Sequence, residues 1–284
     1  MLPAMAKKPS IAIVGPGRLG TLLAGALSAA GYGLDEIISR SKQSTIGHMR
    51  SVRSSGARLN ADLIWFCVPD REVAHAARQL AGQGRWKGKL VFHSSGVLTS
   101  DELDVLRRQG ASVASVHPLM TFVRRSQVSM RGIPFGIEGD PAAVRAARRI
   151  VHDLGGEAFS VRKRDKVLYH AWGTFTSPLL IALLVAAEQV ARSAGVSPAG
   201  ARKKALPILR KTLENYAAFG PAQSFSGPIV RGDVGTVRGH LRALKKVPEL
   251  REVYAALARV ALCHLPSEDR RGLEKVLKGK GRPS

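Results

Sequence analysis

Ile11-Ala12-Ile13-Val14-Gly15-Pro16-Gly17-Arg18-Leu19-Gly20 is the stretch that decides the fold. Four β-prone residues run into Gly-x-Gly-x-x-Gly, and the apolar-periodic segment Leu19 to Leu27 follows without a break. Each glycine answers a separate steric demand. Gly15 permits the tight turn off the strand, Gly17 lets the backbone approach a pyrophosphate, and Gly20 lets the helix pack close to the sheet. The helix N-terminus then faces the phosphates with its unpaired N–H groups. The expectation is a dinucleotide site at Gly15, Pro16, Gly17, Arg18, Leu19 and Gly20.

The second strand, Leu34 to Ser39, should end where an acidic residue about 20 residues beyond the glycines would hold a ribose 2′-hydroxyl. Ser39-Arg40-Ser41-Lys42 stands there instead, and no carboxylate occurs between Glu36 and Asp62. A guanidinium flanked by hydroxyls suits a 2′-phosphate, because Arg offers planar, two-pronged hydrogen bonds to phosphate oxygens. Ser39, Arg40 and Ser41 therefore predict NADP(H) in preference to NAD(H).

Working outward, the first half alternates between short apolar segments and amphipathic helical patterns. Strands are predicted at Ile11–Val14, Leu34–Ser39, Leu63–Val68, Leu90–His93, Ser112–Val116 and Ile133–Ile137, with helices at Leu19–Ala30, Glu72–Leu80, Leu103–Gln109 and Ala142–Leu154. This is the pattern of a mostly parallel, doubly wound sheet covered on both faces. Ligands of such sheets bind beyond the carboxyl ends of the strands. Val68-Pro69, His93-Ser94-Ser95 and Ser115-Val116-His117-Pro118 occupy such ends.

After Arg162 the pattern turns to long helices, which places a domain step there: 1–162 for the nucleotide-binding half and 163–284 for an all-α half. Ser177-Pro178 reads as an N-cap followed by proline in the first helical turn. Leu179–Ala194 then runs as a near-continuous apolar helix. It falls short of about 20 apolar residues and is expected to be a buried core helix rather than a membrane span. Further helices are expected at Pro198–Ala218, Val234–Lys245, Pro248–His264 and Ser267–Leu277. A Gly/Pro-rich loop from Gly220 to Asp233 interrupts them.

Composition narrows the class. The chain has 284 residues, 45% of them hydrophobic, and a formal net charge of +23. Such charge attracts polyanions, but it is spread along the sequence, and three Trp and four Tyr offer few stacking platforms. No nucleic-acid motif appears, so a specific nucleic-acid role is not expected. Two cysteines exclude a disulfide framework, and neither Cys67 nor Cys263 has neighbours at metal-ligand spacing. No signal peptide is visible at the start, and a cytoplasmic protein is expected.

Taken together, Gly15–Gly20, Ser39-Arg40-Ser41, Val68-Pro69-Asp70, His93-Ser94-Ser95-Gly96, Ser115–Phe122, Tyr169-His170-Ala171 and Gly227–Asp233 resemble the Rossmann-like proteins with a DUF2520 C-terminal domain. The match continues through Thr236-Val237 and His240-Leu241 and follows the same order along nearly the whole chain. The resemblance implies an NADP-dependent oxidoreductase whose helical half is similar to that of 6-phosphogluconate and β-hydroxyacid dehydrogenases and pyrroline-5-carboxylate reductase. Some members look like an alternative ketopantoate reductase. In the related β-hydroxyacid dehydrogenases a Lys and an Asn, four residues apart on the first long helix, face the nicotinamide. His170 and Thr174 take those places here, with Ser177 nearby. The resemblance also implies a homodimer.

Hydride reduction of a carbonyl needs a proton donor and a group that holds the substrate's anion. His117 and His170 are the candidate donors, and His93 is expected to wall the cofactor cleft with Ser94 and Ser95. Arg231 in its rigid loop can grip a small-molecule carboxylate in two-pronged fashion. Asp233 either orients a catalytic partner or caps the helix that starts at Val234. The expected activity is reduction of a small 2-oxo acid such as ketopantoate. An imine of the pyrroline-5-carboxylate type, or NADP sensing without turnover, stands as the alternative.

Overall fold

The computed structural model describes residues 8–40, 45–46, 49–123 and 128–278. The strands are β1 (Ile11–Val14), β2 (Leu34–Ser39), β3 (Thr45–Ile46), β4 (Met49–Arg50), β5 (Val52–Arg53), β6 (Leu63–Phe66), β7 (Leu90–His93), β8 (Ser112–Pro118), β9 (Pro134–Gly139) and β10 (Glu157–Ser160). Among them run α1 (Arg18–Ala29), α2 (Asp70–Ala81), the short α3 (Asp104–Arg107) and α4 (Pro141–Asp153). The chain continues as α5 (Lys166–Thr176), α6 (Pro178–Ser193), α7 (Pro198–Ser224), α8 (Val234–Ala243), α9 (Pro248–His264) and α10 (Arg270–Lys278).

Eight strands form one sheet in the order β10-β9-β8-β7-β6-β1-β2-β5, and β3 pairs with β4 separately. All ladders of the large sheet are parallel except β8 with β9. The chain leaves β1 toward β2 on one side and returns to β6 on the other. The glycine turn after β1 therefore sits where the strand order reverses, which is where doubly wound sheets bind ligands.

The apolar runs have a simple cause. Ile11 and Ile13 of β1 pack with Leu23 and Leu27 of α1, whereas Ala12 and Val14 face Val73, Ala77 and Leu80 of α2. A strand buried on both faces cannot alternate polar and apolar residues. Leu23 and Leu27 are fully buried, and each contributes about 2 kcal/mol through removal from water.

The chain divides into two units, Met1–Pro178 and Leu179–Ser284. The division falls after the composition step at Arg162, because α5 belongs with the sheet. In the second unit Val237, Leu241, Ala258, Leu262, Leu273 and Leu277 form the core of α8, α9 and α10. The helix expected at Pro198–Ala218 ends at a kink at Gly220, whose φ of 74° breaks the helical path, and a short further turn at 221–224 completes α7.

One expectation is corrected. Leu179–Ala194 was to be a core helix, yet no residue of α6 is buried. Ile181 and Val185 are at least half exposed, as are Ile208, Leu213, Tyr216 and Phe219 of α7. The segment Lys163–Ser193 is long and apolar enough to cross a membrane, but Ser177, with φ −129° and ψ −79°, breaks it into two helices.

Candidate functional site

The glycine turn has the tight backbone geometry expected of it. Gly15 adopts φ +100°, and a Cβ there would lie 2.8 Å from the Cys67 carbonyl oxygen. At Gly20 a Cβ would come within 2.1 Å of the Gly15 carbonyl oxygen, so α1 packs against the turn at a distance open only to glycine. At Gly17 the nearest atom would be 4.0 Å away, which leaves the backbone open to a ligand. The first turn of α1 has no acidic residue and no side-chain cap, so its N–H groups are left for an anion. Pro16 and Leu19 lie within this turn, and Arg18 donates to the Phe122 carbonyl at 3.0 Å.

Beside the turn is a cleft of about 240 Å³ lined by Val14, Gly15, Ser39, Arg40, Ser54, Val68, Pro69, Arg71, Glu72 and His75, among others. Ser39, Arg40, Val68 and Pro69 were all expected here; Ser41 lies outside the described residues. The sequence did not reveal Glu72. From the first turn of α2 its carboxylate holds the Arg40 guanidinium at 2.8 Å, with Arg71 at 3.7 Å on its other oxygen. Arg40 is 70% exposed, so the pair contributes little to stability and is easily exchanged for another anion.

Further along the carboxyl edge, the ends of β7 and β8 meet α5. His93 is fully buried. Its Nδ1 accepts from the Ser95 N–H at 3.1 Å and its Nε2 donates to the Thr99 carbonyl at 3.0 Å. Burial pushes its pKa down to about 4, with Lys166 adding to the effect. His93 thus pins the loop 94–99 from behind as a neutral imidazole. Ser94 accepts from the Trp65 indole at 2.8 Å, and Ser95 is buried with its hydroxyl accepting from the Leu98 N–H at 3.0 Å.

That loop presents Gly96 to two other histidines. A Cβ on Gly96 would lie 2.8 Å from His117 Nε2 and 2.7 Å from His170 Cδ2, so both candidate donors converge on this glycine. His117 Nδ1 is 2.7 Å from the Tyr169 hydroxyl. The phenol fits because His117 pairs with Gly136 across the β8–β9 ladder, and any side chain at Gly136 would strike the Tyr169 oxygen, 2.6 Å from a Cβ there. Lys166 is 1% exposed. Its ammonium donates to the Ser95 carbonyl at 3.0 Å and to the Ser115 hydroxyl at 2.8 Å. Burial lowers the pKa of Lys166 to about 8 and raises that of Tyr169 to about 12. Burial first, then Lys166, His170 and His93, push His117 down to about 3.

Lys166 and Tyr169 were not among the expected site residues. Lysine reads as a surface residue in sequence. Its spacing was nonetheless informative: Lys166, Tyr169, His170 and Gly173 share one helical stripe. Thr174 turns its hydroxyl back to the His170 carbonyl at 3.0 Å.

The remaining expected residues lie in the second unit. Asp233 is the N-cap of α8, accepting from the Thr236 N–H at 2.9 Å and from its hydroxyl at 2.6 Å, so the capping role is the one its geometry carries. The loop bearing Arg231 is fixed by Ser267, which donates to the Ile229 carbonyl at 2.8 Å, and by the Glu268 N–H on Val230 at 3.0 Å. His240 bonds Tyr254 at 3.0 Å.

Residues 4–118 match the family model described as a Rossmann-like domain, and residues 133–261 match the domain of unknown function DUF2520. No curated protein matches the chain. Among solved structures, a putative NADP oxidoreductase, BF3122 from Bacteroides fragilis, is similar at 20% identity and TM-score 0.73, covering 89% of this chain and 97% of that one. Protein TM1727 from Thermotoga maritima is similar at 20% identity and TM-score 0.72, over 96% and 100%. A reductive aminase from Aspergillus terreus, solved with NADPH and ethyl-5-oxohexanoate, is similar at 16% identity and TM-score 0.66, over 96% and 99%. At these identities the likeness speaks for the fold.

Proposed function

Because the chain belongs to the family that joins a Rossmann-like domain to a DUF2520 domain, we propose that it is an NADPH-dependent reductase of a small carboxylate-bearing carbonyl. One observation carries the reading: His117 and His170 converge on Gly96 at the carboxyl edge of the same sheet whose β1 ends in the glycine turn. A nicotinamide-binding fold with a paired histidine site at its ligand edge can deliver hydride and proton to one bond. The NADP-bearing structures of similar fold support the cofactor.

The residues present fit that cofactor. The turn at Gly15–Gly20 would hold the pyrophosphate, and Ser39 and Arg40 in the adjoining cleft would hold the 2′-phosphate, with Arg40 leaving Glu72 to do so. Bound there, the cofactor supplies hydride. His170 serves as the proton source, because its ring faces Gly96 while His117 is held uncharged. Arg231 is the proposed grip for the substrate's carboxylate, on the strength of its rigid loop. A 2-oxo acid such as ketopantoate is the first substrate to try.

A homodimer in the cytoplasm completes the reading. Val167, Leu168, Trp172 and Phe175 of α5 and the apolar faces of α6 and α7 stand exposed, more apolar surface than a monomer ordinarily leaves in water. A second copy is the proposed cover, and light scattering at micromolar concentration tests it.

The decisive experiment is NADPH oxidation, followed by the loss of the reduced cofactor's absorbance, against a panel of 2-oxo acids and cyclic imino acids. Turnover of an oxo acid with NADPH favoured over NADH is the expected result. Turnover of imines alone would move the substrate class to the pyrroline-5-carboxylate type. Tight NADPH binding with no oxidation across the panel would overturn the enzyme reading and leave a sensor.

A further inference from the structure

The buried Lys166 has no part in the reduction described so far, and burying an ammonium is costly unless it is held by specific partners. Its partners are the Ser95 carbonyl and the Ser115 hydroxyl, and Ser115 in turn donates to the same Ser95 carbonyl at 3.1 Å. The ammonium therefore ties α5 to the strand end and the loop that carry the two histidines. It also places a fixed positive charge beside His117.

Tyr169 settles a second matter. Its phenol is buried and stays protonated, so its proton needs an acceptor. His117 Nδ1 at 2.7 Å is that acceptor, and the Gly136 backbone hydrogen-bonds the same phenol. With Nδ1 accepting, the imidazole proton resides on Nε2, the atom directed at Gly96. The tautomer is assigned from the hydrogen-bond partners.

We propose that Tyr169 and Lys166 are positioning residues that make His117 a permanently neutral hydrogen-bond donor. The phenol fixes the proton on Nε2, and burial reinforced by the ammonium keeps the ring uncharged, so His117 polarises the substrate's oxygen or nitrogen over Gly96 while His170 gives up the proton. No proton leaves His117 in the step; it donates a hydrogen bond and keeps the hydrogen. The proposal rests on the reductase reading for its substrate, but not for its arrangement of protons. The ionisable groups around His117 are Lys166, Tyr169 and His170 from α5 and His93 from β7. Glu138 and Asp70 act on Lys166 rather than on the ring. Glu138 is occupied by Ser100, whose N–H and hydroxyl donate to it at 2.6 and 2.9 Å.

The test is ¹⁵N spectroscopy of the histidine rings in the full chain, assigned with His117→Asn. Wild-type His117 should appear as the neutral Nε2–H form from pH 5 to pH 8. Tyr169→Phe, which removes one hydroxyl, should spread the ring over both tautomers and lower kcat about ten-fold, the worth of one hydrogen bond, with KM for NADPH unchanged. Lys166→Met should shift the titration of His117 upward, with burial still holding it below the ordinary histidine value. A wild-type ring that charges above pH 5, or that carries its proton on Nδ1, overturns the proposal. So does a Lys166→Met protein whose His117 titrates as before. Should Lys166→Met fail to fold, Tyr169→Phe and the wild-type titration still decide. Absence of turnover on every substrate, with the tautomer as stated, would sink the reductase reading and leave the proton arrangement standing.

Discussion

Lowering the pH from 7 to 5 should cost the sheet unit more stability than exposed histidines can explain. His93 and His117 are neutral in the folded protein, with pKa values pushed by burial to about 4 and about 3. Both lie below the ordinary histidine value near 6.5, so the unfolded chain takes up protons that the folded one refuses. The stability these rings contribute is therefore complete above about pH 6.5 and is lost as pH falls toward the folded values. At pH 5 an unfolded histidine is almost fully charged, and the linkage amounts to about 2 kcal/mol for each ring. Together they give a slope of roughly 2.5 kcal/mol per pH unit near pH 5. Lys166, lowered to about 8, titrates above this window. Urea unfolding followed through Trp65 and Trp86, both buried in the sheet unit, measures the slope directly. His117→Asn should reduce it by about one proton's worth, roughly 1.2 kcal/mol per pH unit. A stability that stays flat between pH 7 and pH 5 would refute the assignment of both rings as buried and neutral.

Three further outcomes are expected. Arg40→Asp should weaken NADPH binding far more than NADH binding, and Glu72→Gln should strengthen NADPH binding by freeing Arg40 from its 2.8 Å partner; titration calorimetry with both cofactors checks the pair. Gly20→Ala places a Cβ 2.1 Å from the Gly15 carbonyl oxygen, which should cost about 1–3 kcal/mol as overpacking and abolish cofactor binding, read by melting temperature and calorimetry. Arg231→Ala should lose about 1.5–3 kcal/mol of a charge-assisted contact, a ten- to hundred-fold fall in kcat/KM with NADPH affinity intact; a lower Tm with unchanged kinetics would make the loop purely structural.

The parts of the fold that were legible in sequence are those whose physics is local. β1 announces itself because both of its faces are buried, and the glycines after it announce the turn because no other residue fits at Gly15 or Gly20. β10 escaped notice because Glu157 and Ser160 of this four-residue strand are exposed, so the segment has neither an apolar run nor a clear alternation. Arg40 could be read from the missing acid, whereas Glu72 could not, since only the folded sheet brings α2 to the end of β2. Lys166 was hidden for a related reason: its charge suggests solvent, and its true surroundings come from β7, β8 and the loop at Ser95. The apolar pattern of α6 was legible as a buried face, but periodicity does not say what does the burying, and among the described residues the helix is left uncovered.

Helix α5 has two sides with different owners. Lys166, Tyr169 and His170 turn inward to the histidine cluster, while Val167, Leu168 and Phe175 point outward and are more than half exposed. If a second copy covers that outer side, association tightens the same rigid rod that aims the imidazoles. Protein concentration then becomes a control variable of the chemistry: dilution loosens the rod, and specific activity falls before the sheet itself begins to melt.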